Sequence, residues 1–210
     1  MNILFDFDGV IIDSMPVREK AFAYAVESYS KENIIEFIEF HKANGGMSRF
    51  IKFKYFINNI IKEDCNKDKI AFLAERYSDY VNSHLVSKNK LIETVLKFII
   101  EQYQKYPMYI ISASEHKELN YICEKLDIAK YFKKIYGTPP LEKSKLMKLV
   151  LKRHKIAKRH AVYIGDSIND LEASIDNNIK FFGFNNPELK NREKATYIES
   201  IDQVLSYFNE

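Results

Sequence analysis

The stretch NILFDFDGVIIDS, residues 2–14, decides the fold. A mostly apolar run ends in two carboxylates, Asp6 and Asp8, and Gly9 follows them directly. Short, nearly continuous apolar runs are typical of strands buried on both faces, as in parallel sheets. Two acids at the end of such a strand repel each other and are costly to bury, so their presence indicates a function.

Four further apolar runs have the same form, and each ends in small or polar residues. They are MYIISAS at 108–114, KIYGT at 134–138, AVYIGDS at 161–167 and IKFFGF at 179–184. Helical periodicity covers residues 91–104, 115–126, 144–154 and 168–177. This alternation predicts an α/β fold with a Rossmann-like, doubly wound parallel sheet. Ligands bind at the carboxyl ends of the strands in such sheets.

Residues 16–88 interrupt the alternation, because they carry only helical patterns, broken at 30–33, 44–46 and 64–68. This segment is too long for an ordinary crossover connection. We therefore expect an inserted α-helical cap domain of residues 15–88, beside a core domain of residues 1–14 and 89–210.

Composition narrows the classes of function. The chain has 210 residues, of which 46% are hydrophobic and 29% charged, as in ordinary globular proteins. A formal net charge of +3 gives no reason to expect a nucleic-acid partner. Cys65 and Cys123 lie far apart, which favours reduced thiols in a cytoplasmic protein. No apolar stretch approaches the ~20 residues of a membrane span, so we expect neither a signal peptide nor a membrane partner.

Four acids follow two of the predicted strands. Asp6 and Asp8 follow the first, and Asp166 and Asp170 follow the fourth. If their side chains meet at one edge of the sheet, a divalent cation would offset their repulsion, and an oxygen-only site favours Mg²⁺. For the second pair alone, the alternative is a helix N-cap formed by Asp166 or Ser167.

Two other strand ends offer complementary chemistry. Ser112 supplies a hydroxyl beside the backbone N–H groups that open a helix, and Lys143 supplies a positive charge. Anion donors, a lysine and a cation around an acid are the components of a phosphoryl-transfer site. A carboxylate there is also a competent nucleophile.

Four segments together resemble the motifs of the haloacid dehalogenase superfamily of phosphohydrolases. They are DFDGVIIDS at 6–14, IISAS at 110–114, EKSKLMKL at 142–149 and IGDSINDLEAS at 164–174. The resemblance covers almost the whole chain. The helical insertion falls where the phosphoglycolate phosphatase/β-phosphoglucomutase-like subfamily carries its cap.

The resemblance implies a role for each motif residue. Asp6 would be the nucleophile, and Asp8 would protonate the leaving alcohol and then activate water. Asp6, Asp166 and the backbone carbonyl of Asp8 would hold Mg²⁺, with Asp170 supporting the site. Ser112 would hydrogen-bond the transferring phosphoryl group, and Lys143 would neutralise the charge of the nucleophile and of the phosphate.

The lysine motif departs from the family's usual Lys-Pro, because Ser144 follows Lys143. Lys145 therefore stays an alternative. Lys143 is preferred because Leu146 and Val150 lie at helical spacing behind it. The acid at position 8, which haloacid dehalogenases themselves lack, favours phosphate esters over carbon–halogen bonds.

The segment NGGMSRF, residues 44–50, resembles the cap loop that faces the active site in this subfamily. The resemblance implies substrate contacts for Gly46, Ser48 and Arg49, with Arg49 suited to a carboxylate or second phosphate. The alternative is a helix start in which Ser48 is the N-cap and Arg49 is solvated. His41 is predicted to lie on the surface.

The sequence thus predicts a Mg²⁺-dependent phosphatase of a small phosphorylated metabolite, with a sugar phosphate among the candidates, acting as a monomer or homodimer. One alternative is a phosphomutase of the β-phosphoglucomutase kind. Such mutases usually carry a histidine on the first cap helix, where this chain has Arg18, so the phosphatase is preferred. The other is a non-catalytic phospholigand-binding protein, which the complete set of motif residues argues against.

Overall fold

A computed structural model describes residues 1–45, 47–138 and 141–208 of the chain. Six parallel strands form one sheet in the order β3-β2-β1-β4-β5-β6. They are β1 Asn2–Phe5, β2 Met108–Glu115, β3 Lys134–Thr138, β4 Ala161–Gly165, β5 Lys180–Phe184 and β6 Ala195–Ile198. The strand order reverses its direction between β1 and β4, which makes their carboxyl ends the expected ligand site. The predicted doubly wound α/β sheet is confirmed.

Helices cover both faces of the sheet. The helices that follow or join the strands are α5 Glu93–Gln102, α6 His116–Lys125, α7 Lys143–Arg153, α8 Ile168–Asn177 and α9 Gln203–Ser206. Ile3 and Phe5 belong to one apolar cluster, whereas Leu4 between them belongs to a second. Alternate side chains of β1 are thus buried on opposite faces, which explains why the run is apolar throughout.

Two details of the strands differ from the prediction. β4 is two residues shorter than the predicted run 161–167, and both β1 and β4 end directly before their first acid, where the chain leaves the ladder. β6 was missed, because it is short and partly exposed and so has no continuous apolar run.

Four α-helices lie between β1 and α5 in the part of the chain that the structure describes. They are α1 Met15–Ala25, α2 Lys31–Ala43, α3 Arg49–Tyr55 with a π-helical turn Phe56–Ile60, and α4 Lys67–His84. Aromatic rings fill the space between them, with Phe22 lying 5.5 Å from Phe37 and 5.4 Å from Phe53, measured between ring centroids. None of the helices described is both long and apolar enough to cross a membrane.

The two segments that connect these four helices to the sheet pair with each other. Ile12 forms an antiparallel bridge with Leu91, and the backbone N–H of Asp13 donates to the carbonyl of Lys90 at 2.8 Å. The predicted domain boundaries lie beside this pairing, which supports them, and the division into core and cap stays a prediction.

Candidate active site

Three of the four predicted acids converge at the carboxyl ends of β1 and β4. One carboxylate oxygen from each of Asp6, Asp166 and Asp170 lies within 4.8 Å of the other two. Burial and the charge of Asp170 raise the pKa of Asp6 to about 7. Burial and the charge of Asp6 likewise raise the pKa of Asp166. The cluster therefore favours any cation that can balance it.

Lys143 supplies one such cation from the first position of α7. Its Nζ lies 3.0 Å from Asp6 Oδ1 and 2.5 Å from Asp170 Oδ1. Burial by itself would lower the pKa of Lys143, but these two carboxylates raise it above its usual value. Lys145 instead lies on the exposed side of α7, 3.6 Å from Glu142. Of the two candidate lysines, the structure places Lys143 beside the acids.

Asp170 is held by protein donors on both oxygens. Oδ1 accepts from Lys143 and from the Tyr163 hydroxyl at 3.0 Å. Oδ2 accepts from the Ser167 hydroxyl at 2.7 Å and from the Ser167 backbone N–H at 3.1 Å, and Ser167 caps α8. Asp170 thus orients Lys143, and its part in holding a cation stays a prediction.

Asp166 differs from Asp170, because no protein hydrogen bond to its carboxylate is found among the described residues. Gly9 makes room for it. A Cβ on Gly9 would lie 1.9 Å from Asp166 Oδ2, and the positive φ of Gly9, 76°, is one that other residues rarely adopt. The glycine after the acid pair therefore allows the loop after β1 to approach the second acidic strand end.

The carboxylate of Asp8 lies outside the acid cluster and faces α1. Its Oδ1 accepts from the Ser14 hydroxyl at 2.5 Å and forms an ion pair with Arg18. Its Oδ2 accepts from the Ser114 hydroxyl at 2.6 Å. Burial alone would raise the pKa of Asp8, but Arg18 and the hydroxyl donors lower it. Asp8 is therefore ionised in this arrangement.

Ser112 is buried at the end of β2, where its Oγ accepts the Ser114 backbone N–H at 3.1 Å. Sequence reasoning missed Ser114, the second serine of IISAS. Ser114 accepts from Arg18 at 2.8 Å while donating to Asp8. Residues two apart in a strand lie on the same face, so the position of both serines at the end of one run was the available signal for Ser114.

A cleft of about 380 Å³ between the sheet and helices α1–α4 is lined by Asp6, Asp8, Asp166, Ser112 and Lys143. Pockets of this size accept small metabolites. The helical side of the cleft includes Arg18, His41, Arg49, Lys52 and Tyr77. Asn169 beside the acids donates to the carbonyl of Gly45, so the loop between α2 and α3 contacts the sheet side directly.

Arg49 is buried in this cleft rather than solvated. Its guanidinium lies 2.6 Å from Glu118 Oε2 on α6 and 3.0 Å from Ser78 Oγ. Ser48 precedes α3 at the N-cap position but makes no capping hydrogen bond through its side chain. Gly46 lies outside the described residues. Glu118, which also pairs with Arg18 at 3.4 Å, was missed because nothing local in the sequence distinguishes it.

The prediction that His41 lies on the surface is wrong. Its side chain is buried against Phe22, with 4.5 Å between the ring centroids, and its Nδ1 lies 2.7 Å from Lys52 Nζ. Phe37, one helical turn earlier, is also buried. This spacing was the signal that places His41 on the inner face of α2.

The fold and the site define a Rossmann-like α/β enzyme whose clustered carboxylates and buried lysine lie at the reversal of strand order. The family model described as haloacid dehalogenase-like hydrolase matches residues 3–184, and the chain belongs to this family.

Several proteins are similar to the chain. A phosphoglycolate phosphatase of Vibrio parahaemolyticus is 24% identical over 191 residues, which cover 86% of this chain and 82% of that protein. A β-phosphoglucomutase from Clostridium difficile has a similar structure, with a TM-score of 0.79 and 19% identity over 99% of this chain and 95% of that one. A haloacid dehalogenase-like hydrolase from Streptococcus pneumoniae gives a TM-score of 0.72 at 21% identity over 99% and 97%. These structures share the fold. The prediction of a phosphatase enzyme of this family is confirmed.

Proposed function

We propose that the chain is a Mg²⁺-dependent phosphatase that hydrolyses a small phosphorylated metabolite through an aspartyl-phosphate on Asp6. One observation carries the proposal: Asp6, Asp166 and the buried Lys143 lie together at the sheet end of the cleft. A sugar phosphate is the narrower candidate. A cytoplasmic enzyme without nucleic-acid or membrane partners, monomeric or homodimeric, belongs to the same proposal.

The donor set fits Mg²⁺. Asp6, Asp166 and the backbone carbonyl of Asp8 would hold the ion, and they offer only oxygen atoms. Burial and the charges of neighbouring carboxylates raise the pKa values of Asp6 and Asp166, so a cation beside them is strongly favoured. When bound, the ion supplies charge neutralisation for the phosphoryl group and the attacking carboxylate.

The reaction then has two halves. A carboxylate oxygen of Asp6 forms a bond to phosphorus while the bond to the ester oxygen breaks, and Asp8 gives that oxygen a proton. In the second half Asp8 takes a proton from water, whose oxygen bonds to phosphorus while the bond to Asp6 breaks and phosphate leaves. Ser112 and Lys143 bind the phosphoryl oxygens in both halves.

The ion pair with Arg18 favours the ionised form of Asp8, which is the form needed to accept a proton from water. The first half needs the protonated form. We therefore expect substrate binding to loosen the contact between Arg18 and Asp8, so that Asp8 can turn toward the ester oxygen.

The phosphomutase alternative differs in returning the phosphoryl group to a sugar. Arg18 helps to distinguish the two activities, because it lies on the first helix of the insertion and forms an ion pair with Asp8. Its charge favours the ionised Asp8 that activates water, which supports hydrolysis. A requirement for a sugar bisphosphate during turnover would reverse this preference.

Phosphate release tests the proposal. The chain is assayed with p-nitrophenyl phosphate and a panel of sugar, nucleotide and acid phosphates, with Mg²⁺ or with EDTA. Asp6→Asn should abolish release, since an amide of nearly the same shape is a poor nucleophile. Asp13→Asn, on an exposed residue of the same loop, is the matched control and should retain it. Near-full activity of Asp6→Asn, or release that is indifferent to EDTA, would refute the proposal.

A further inference from the structure

Four buried cations line the cleft, and three of them have carboxylate partners. Arg18 pairs with Asp8, Arg49 with Glu118, and Lys143 with two acids of the cluster. Lys52 is the exception. It is 2% exposed, and among the described residues no carboxylate oxygen lies within 4.0 Å of its Nζ.

His41 fixes the direction of Lys52. The Lys52 Nζ lies 2.7 Å from His41 Nδ1 and 3.4 Å from the His41 carbonyl oxygen. An ammonium group has only hydrogens to offer, so Nδ1 accepts and His41 carries its own proton on Nε2. Burial, followed by the charge of Lys52, lowers the pKa of His41 to about 3, which keeps the ring neutral. Phe22 covers Lys52 from another side, with its ring centroid 5.3 Å from Nζ.

A buried ammonium with one histidine as its main partner is costly, and proteins rarely keep an unpaired buried charge without a ligand for it. Burial and then Arg18 lower the pKa of Lys52 to about 7. Asp8 acts in the opposite direction but more weakly. Lys52 lines the same cleft as Asp6, from the helical side. A negative group entering that part of the cleft would balance its charge.

We propose that Lys52, oriented by His41, binds an anionic group, a carboxylate or a phosphate, at the end of the substrate remote from the phosphoryl group that Asp6 attacks. This rests on the proposed function. It narrows the substrate to phosphate esters that carry a second negative group. Arg49 was the residue expected for this task, but Glu118 already balances its charge at 2.6 Å.

Matched ligand pairs test the proposal without turnover. Binding to the Asp6→Asn chain with Mg²⁺ is measured by calorimetry at pH 7. One pair is 2-phosphoglycolate and 2-hydroxyethyl phosphate, and the other is glucose 1,6-bisphosphate and glucose 1-phosphate. In at least one pair, the doubly anionic member should bind about 10- to 100-fold more tightly, as expected for a hydrogen bond between charged groups. Preference in the first pair identifies a carboxylate, and preference in the second identifies a phosphate.

Adding Lys52→Met should remove most of that preference, and Lys54→Met, on an exposed lysine of the same helix, should preserve it. Circular dichroism checks that each variant is folded, and Lys52→Gln, which can still bond to His41, replaces the methionine variant if that one is not. No preference in either pair, or a preference that survives the loss of Lys52, would overturn the proposal.

Proton uptake gives a second measurement that needs no variant of Lys52. The charged or titratable groups that face Lys52 are Arg18 on α1, His41 on α2 and Asp8 after β1. Binding an anion there raises the pKa of Lys52, so at pH 8 the doubly anionic ligand should take up more protons than its matched partner. Equal uptake would count against the proposal.

The two proposals fail separately. Hydrolysis of p-nitrophenyl phosphate by the chain with Asp6 intact reports on the phosphatase alone. If that ester is hydrolysed but neither pair shows a preference, the subsite is wrong and the phosphatase stands. If no ester is hydrolysed although a preference depends on Lys52, the phosphatase is wrong and the anion subsite stands.

Discussion

Lys143→Met removes a buried protein cation that contacts two members of the acid cluster. The substitution keeps the length and the apolar stem of the side chain but leaves Asp6 and Asp170 without the ammonium that lies 3.0 and 2.5 Å from them. Three carboxylate oxygens within 4.8 Å of one another then lack their protein counter-charge. We expect the variant to be both less stable and far less active.

The expected loss of stability is large because both partners of the ion pair are buried. The side chain of Lys143 is 6% exposed and that of Asp170 is 0% exposed, so water cannot replace the lost partner. Removing one partner of a buried ion pair costs about 3–5 kcal/mol of unfolding free energy. Mg²⁺ at 100 times its dissociation constant would add about 2.7 kcal/mol to the stability of either chain, so the two chains are compared under the same conditions. The loss of one charged donor to the phosphoryl group should lower kcat by about 10²- to 10³-fold.

Urea unfolding at pH 7.5, with Mg²⁺ and with EDTA, measures the stability of Lys143→Met, and phosphate release measures kcat. Lys145→Met is the control, because its side chain is 69% exposed and pairs with the exposed Glu142 rather than with the acid cluster. It should change the unfolding free energy by less than about 0.5 kcal/mol. A loss below about 1 kcal/mol for Lys143→Met, or equal losses of activity in both variants, would refute the assignment of Lys143.

Two further substitutions test other parts of the site. Gly9→Ala should weaken Mg²⁺ binding by about tenfold or more and lower the free energy of unfolding by about 1 kcal/mol or more. The added Cβ would lie 1.9 Å from Asp166 Oδ2, and the backbone there is left-handed. An unchanged Mg²⁺ titration would contradict this. Lys52→Met should raise the free energy of unfolding, and by roughly 2–3 kcal/mol more at pH 6 than at pH 9. The pKa of Lys52 falls from 10.5 to about 7 on folding, so its cost is full below pH 7 and declines as the pH rises toward 10.5. Urea midpoints at both pH values measure the difference, and parallel stabilities would show that Lys52 is not desolvated.

The sheet and its acids were predictable because they depend on local pattern. Strands buried on both faces have to be apolar throughout, and parallel strands bring their carboxyl ends to one edge, so Asp6 and Asp166 could be placed together before any coordinates. β6 was not predicted, because a partly exposed edge strand does not need a continuous apolar run. The sequence therefore predicts a strand reliably only where both of its faces are buried, because only such a strand has to be apolar throughout.

The contacts across the cleft were not predictable, because they join residues far apart in the chain. The position of Asp8 depends on Arg18 and Ser114, and nothing near Glu118 in the sequence indicates that two arginines meet it. Lys52 did leave a signal that was not used. It lies four residues before the buried Phe56 and therefore on the inner face of its helix, where a lysine is unusual.

Glu118 belongs to the helix after β2, whereas both arginines that it contacts belong to helices of the insertion. Moving the insertion away from the sheet would therefore separate two ion pairs at one carboxylate in the same motion. Dissolved salt weakens such pairs when water reaches them. We therefore expect higher ionic strength to favour opening of the cleft.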